Sequence, residues 1–187
     1  MRLLVESGDS RFEHRVLDAG GRPCGLLHVP SRATAARNRA EAAPPSTGSP
    51  ARPTIEVGEE RFHVEYDVVR TPAWGPSDLR FSLFRGEDAE ADDGSPRELA
   101  RIEVRPKRKV RRLSVPAGRF DLVQRHRWFR TCFMVRSAGG DDDVGTIVET
   151  TRYLSGGRRT FEIEMPNAVD APALIFAFFV ACKGSWR

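Results

Sequence analysis

From Ala171 to Cys182 the sequence carries no polar side chain. Asp170 stands before this run as a helix N-cap, and Pro172 falls in the first turn, where a missing N–H costs nothing. Lys183 and Gly184 follow as end signals, so the spacing predicts a helix over 171–183. A helix that is apolar on every side has to be covered on every side. A bilayer core needs about 20 apolar residues, and a run of roughly 10–14 is more often buried in protein. The rest of the chain therefore has to supply a sleeve. A terminal membrane anchor is the competing reading.

The remaining segments supply strands. Phe62, Val64 and Tyr66 alternate with His63, Glu65 and Asp67, and Leu79, Phe81 and Leu83 alternate with polar neighbours. Short alternating or β-rich runs also lie at 1–6, 11–17, 24–29, 55–57, 98–104, 110–115, 119–123, 128–135, 144–150 and 159–165, divided by Gly, Pro and Asp turn clusters. That makes about twelve short antiparallel strands followed by one helix. A sandwich leaves no room for a helix that is apolar all round, whereas a closed barrel has a lumen and no open edges. The expected fold is all-β: a single-domain barrel over 1–187, with one central helix.

Residues 31–54 break this pattern. They are rich in Ala, Arg, Pro and Ser, and have too little apolar mass to pack. They read as a low-complexity insert. Two blocks also echo one another: Val16-Leu17-Asp18-Ala19-Gly20-Gly21 with Gly25 beyond it, and Val135-Arg136-Ser137-Ala138-Gly139-Gly140 with Gly145 beyond it. Internal duplication and repeated hairpin chemistry both account for this.

The many-stranded domain, the closing strand Arg159–Glu164, the spacer with Asp170 and the apolar terminal helix together resemble the tubby C-terminal-like superfamily. That superfamily includes the LURP-one-related and phospholipid scramblase-like families. The resemblance rests on hairpins 12–27 and 133–147 and on the helix, not on a catalytic signature. It implies a twelve-stranded barrel around a hydrophobic C-terminal helix. It also implies a binding or membrane-associated role rather than an enzyme. The insert and an arginine-rich middle depart from the pattern.

Charge distribution is the sharpest functional feature. Between Arg101 and Arg136 lie twelve Lys or Arg and two acids, Glu103 and Asp121, in a chain of net charge +4. The run Lys107, Arg108, Lys109, Arg111 and Arg112, extended by Arg127 and Arg130, is the candidate ligand-binding set for an anion, with Arg125 and His126 as further nearby extensions. On a strand, Lys107, Lys109 and Arg111 share one face. Clustered cations suit an anionic phospholipid or phosphoinositide surface, an acidic protein partner, or nucleic acid. A solvated face balanced by the acidic segments 87–93 and 141–143 is the alternative. Trp128 and Phe129 sit within this set.

No catalytic, metal or cofactor site is expected. His14, His28, His63 and His126 are isolated, Cys24, Cys132 and Cys182 form no Cys-x-x-Cys pair, and Asp141–Asp143 lacks calcium-loop spacing. Three scattered cysteines and no signal-like leader predict a reducing, cytoplasmic setting, peripheral to the membrane if lipid is the ligand.

Overall fold

The computed structural model describes residues 1–7, 12–30, 52–70, 77–86, 97–105, 110–127, 130–140, 142–151 and 159–182; for His126, Arg127 and Arg130 it describes the backbone. Twelve antiparallel strands follow in chain order: β1 Arg2–Ser7, β2 Glu13–Asp18, β3 Pro23–His28, β4 Thr54–Val57, β5 Glu60–Arg70, β6 Asp78–Arg85, β7 Glu98–Val104, β8 Val110–Val115, β9 Gly118–Arg127, β10 Arg130–Ser137, β11 Asp143–Glu149 and β12 Thr160–Glu164. Each pairs with its sequence neighbours, and β12 pairs with β1 to close the barrel. The helix α1, Ala171–Cys182, comes last.

Alternation decides which side of each strand meets the lumen. Leu3 and Val5, Phe62 and Val64, Ile102, Leu113, Leu122, Phe133, Ile147, Phe161 and Ile163 all point inward into one core, and α1 lies within it. Eleven of the helix's residues, Pro172 to Cys182, are buried. Its sides touch opposite walls: Ile175 reaches Gly25 on β3, Phe178 packs edge-on against Phe161 on β12, and the helix also meets β4, β6, β7 and β8. A polar face would have had no water to reach. Asp170 caps the start, its Oδ1 accepting from the Ala173 amide at 3.1 Å.

Two boundaries differ from the sequence expectation. β9 runs on to Arg127, past the expected end at 123, and β10 starts at Arg130 rather than 128. The apolar pair Trp128-Phe129 mimics a strand start; it lies outside the described residues, as do Lys183, Gly184 and residues 31–51 of the insert.

The echo between the two Gly-Gly hairpins has a structural counterpart. Val16 faces Gly25 and Leu17 faces Pro23, leaving Cys24 unopposed; Val135 faces Gly145 and Arg136 faces Asp143, leaving Val144 unopposed. A third instance has no Gly-Gly signature: Leu83 faces Ala100 and Phe84 faces Glu98, leaving Leu99 unopposed. These three bulges sit on β3, β7 and β11, every fourth strand, while a further shift on β5, between Val68 and Arg70, falls outside the series; β1, β5 and β9 begin at residues 2, 60 and 118, evenly spaced. Bulges tighten twist and help a sheet curl shut.

The residue after each bulge is small because backbone approaches there. A Cβ on Gly145 would stand 2.2 Å from the Glu164 carbonyl oxygen. Gly145→Ala is expected to push β12 away from β11 and cost about 1–3 kcal/mol, read as a lower denaturation midpoint. An unchanged midpoint would show that the strands yield freely at this point.

Candidate functional site

The strand directions set two unlike ends. β12 ends and α1 begins at one of them. At the other, α1 ends and the connections β1–β2, β3–β4, β5–β6, β7–β8, β9–β10 and β11–β12 are made. The arginine-rich segment is anchored at this second end, because β7 finishes and β8 starts there.

Outward-facing charges on the barrel wall are largely neutralised. The register lines up Asp67, Arg80, Glu103, Arg112, Asp121, Arg136 and Asp143 on seven successive strands, from β5 to β11. The signs alternate at every step. Arg112 Nε donates to Asp121 Oδ1 at 2.9 Å, and Arg136 Nε to Asp143 Oδ1 at 2.7 Å. The carboxylate of Asp121 raises the pKa of Arg112 above the usual arginine value. Cross-strand opposite charges support a sheet. Arg112 therefore belongs to a structural belt rather than to an open basic patch.

Arg111 is also placed differently from the sequence expectation. It shares the parity of Leu113, whose side chain is fully buried, so it turns toward the lumen. Its guanidinium lies over the Phe133 ring at 4.6 Å. Burial pulls its pKa down from the usual arginine value. Arg159 enters the same end from just before β12, four strands round the barrel. Its Nε and Nη2 donate to the two Glu149 oxygens at 2.7 and 2.8 Å, and the Thr131 amide adds a third bond at 3.2 Å. Burial alone would raise the Glu149 pKa; the Arg159 contacts outweigh it and hold the carboxyl below the usual carboxylate range. Both cations act on Cys182, the last helical residue, where the helix dipole is negative. Burial nonetheless pushes the Cys182 thiol up to about 12, which leaves it unreactive. The cluster plugs the lumen end.

The candidate anion-binding set thus divides. Arg112 joins the belt, Arg111 the plug, and Lys107, Arg108 and Lys109 lie outside the described residues. Arg127 and Arg130 are brought together: they stand directly opposite one another across β9 and β10. Arg125, which the sequence also offers as an extension of the basic run, precedes them on β9; it is exposed and makes no ion pair among the described residues. Arg105, also exposed, flanks the β7 side, 3.6 Å from Glu103.

The same end carries exposed apolar surface. Phe12, Tyr66, Val68 and Val69 are 40–55% exposed; among the described residues the other large apolar side chain so exposed, Met1, is at the opposite end. Tyr66 and Val68 keep the inward parity of Phe62 and Val64. The pairing with β4 ends at His63, and β5 continues beyond it alongside β6 to Arg70.

Among the described residues there is no cluster of three His, Cys, Asp or Glu that could hold a metal, and no helix long and apolar enough to cross a membrane. No family model matches the chain, and no curated protein or solved structure does either.

Proposed function

We propose that this protein is a non-catalytic binding module. It docks the barrel end that holds the helix C-terminus onto an anionic phospholipid surface, including membranes that contain phosphoinositide. The observation that carries this reading is the like-charged pair. Along the belt every cation faces an acid, yet in the strand register Arg127 stands opposite Arg130, and Arg125 beside them makes no ion pair among the described residues. Like charges directly opposite one another destabilise a sheet. A phosphate brought between them neutralises that like charge directly. The resemblance to tubby C-terminal-like proteins points the same way. The reading puts the protein in the cytoplasm, peripheral to the membrane.

Each cation near an anionic surface contributes about 1 kcal/mol, so three arginines contribute about 3 kcal/mol, or roughly two orders of magnitude in partitioning. Vesicle co-sedimentation tests this. The intact protein is expected to bind vesicles containing phosphatidylserine or phosphoinositide and to ignore neutral ones. Arg125→Ser/Arg127→Ser/Arg130→Ser should lose about a hundredfold, while Arg112→Ser, drawn from the belt, should bind nearly as before. Indifference of the wild type to every vesicle at low salt would overturn the reading and shift attention to an acidic protein partner.

A further inference from the structure

We infer that Arg111, with Gln124 beside it, holds a phosphate group at the mouth of the barrel lumen. The site does not rest on the phospholipid reading above; only the supply of that phosphate by a lipid headgroup does.

Two neighbours on β8 are treated in opposite ways. Arg112 faces outward, with Glu103 opposite it on β7 and Asp121 opposite it on β9. Arg111 faces inward, and the residues opposite it on the same two strands are Val104 and Leu122, both apolar. Its guanidinium covers the Phe133 ring, and its Nη1 is shut off from water with no hydrogen-bond partner. Among the described residues Cys182 is the one ionisable group that bears on its charge, and burial keeps that thiol neutral. Arg159, the other inward cation at this end, has the Glu149 carboxylate. The end of α1 adds about half a negative charge for the two cations together. Two guanidiniums against one carboxylate and a helix end leave a positive excess, and it falls on Arg111. Withdrawing a charge from water without a full partner is costly, and an anion that enters beside it removes that cost.

The neighbouring strand brings a second donor. Gln124 shares the inward parity of the fully buried Leu122 and stands opposite Phe133, so it enters the lumen next to the ring that Arg111 covers. Arg111 and Gln124 are each only partly buried, so solutes reach both from the mouth. A guanidinium presents a planar fork of N–H groups that matches two phosphate oxygens, and a carboxamide N–H can serve a third. A carboxylate would use the fork alone, so a tetrahedral oxyanion answers these donors more fully. The apolar walls, Val104, Leu122 and Phe133, lower the local dielectric and strengthen such a contact. This mouth is also the barrel end proposed to face lipid, where headgroup phosphates are concentrated.

The test is thermal melting of the full chain with inorganic phosphate or inositol trisphosphate, at an ionic strength matched with sodium chloride. The wild-type midpoint is expected to rise by about 3–6 °C once the anion is tenfold above its Kd. Arg111→Met keeps a stem over Phe133 without the charge. It should melt above wild type in phosphate-free buffer and show no response to phosphate. Arg111→Lys keeps the charge without the fork and should respond more weakly than wild type. A wild type indifferent to both anions, or an Arg111→Met variant that responds equally, overturns the site. So does an Arg111→Met variant that melts below wild type without phosphate, because the guanidinium is then already satisfied. Phosphatidylcholine vesicles with and without phosphatidylserine or phosphoinositide identify the source. At least tenfold weaker partitioning of Arg111→Met supports a headgroup, whereas equal partitioning beside an intact wild-type phosphate response assigns the site to the free ion. A wild type that binds no vesicle yet melts higher with phosphate overturns the phospholipid reading and leaves the lumen site standing.

Discussion

A chain lacking residues 169–187 is expected to show no cooperative unfolding transition, because the barrel cannot close on an empty lumen. The six large side chains of α1, Leu174, Ile175, Phe176, Phe178, Phe179 and Val180, are essentially all buried. At about 1.5–3 kcal/mol each, their burial contributes roughly 9–18 kcal/mol as an upper bound. The net stability of a whole domain is about 5–15 kcal/mol. The inward residues of twelve strands would also lose their packing partner at once. Phe178→Ala grades the effect: it removes the ring between Phe161 and His14 and should cost about 3–5 kcal/mol. Circular dichroism and thermal melting read both variants. A truncated chain that still melts cooperatively would mean that the strands form a closed core by themselves.

The second large effect is acid lability. His14 is 3% exposed, and its ring lies against Phe178 at 6.2 Å. Burial, assisted by the nearby Arg159 charge, lowers its pKa to about 4 from an ordinary 6.5. The unfolded chain thus takes up this proton more readily than the folded one. The stability due to neutral His14 is fully present above pH 6.5 and is lost progressively as pH falls toward 4. The loss is about 1.4 kcal/mol per pH unit and about 3 kcal/mol in all. Glu149 adds to it at lower pH, since its depressed pKa means that its stability is lost as the carboxylate protonates. Once Glu149 is neutral, Arg159 loses its partner at the plug. Denaturation midpoints at pH 7 and 4.5 should fall apart for the wild type and stay closer for His14→Leu, whatever that variant's absolute stability. Equal slopes would remove His14 from the account.

The fold was legible because it depends on patterns within single segments. Twelve apolar residues in a row announce a sheathed helix, and alternation such as Phe62, Val64 and Tyr66 announces strands. The candidate site depends on pairing between segments, which one strand does not reveal. Arg112 and Asp121 look unrelated until the β8–β9 register sets them opposite. The inward turn of Arg111 did have a signal: Leu113 and Val115 share its parity, so the apolar face of β8 includes position 111. Clustering in sequence hid this, because neighbouring residues on a strand point to opposite sides. Arg125 was legible as an extension of the basic run, and the register sets it on β9 beside the Arg127–Arg130 pair.

The bulge recurring at every fourth strand makes the wall a ring of three like units, whereas the plug is a single helix. A helix has no threefold symmetry, so equivalent places in the ring meet different neighbours. The position two residues before inward Leu113 on β8 is Arg111; the matching place before Ile163 on β12 is Phe161, which packs on Phe178. A repeated wall around an unrepeated centre thus turns sameness of backbone into difference of environment. That asymmetry is how three similar units come to hold one charged end and one dry one.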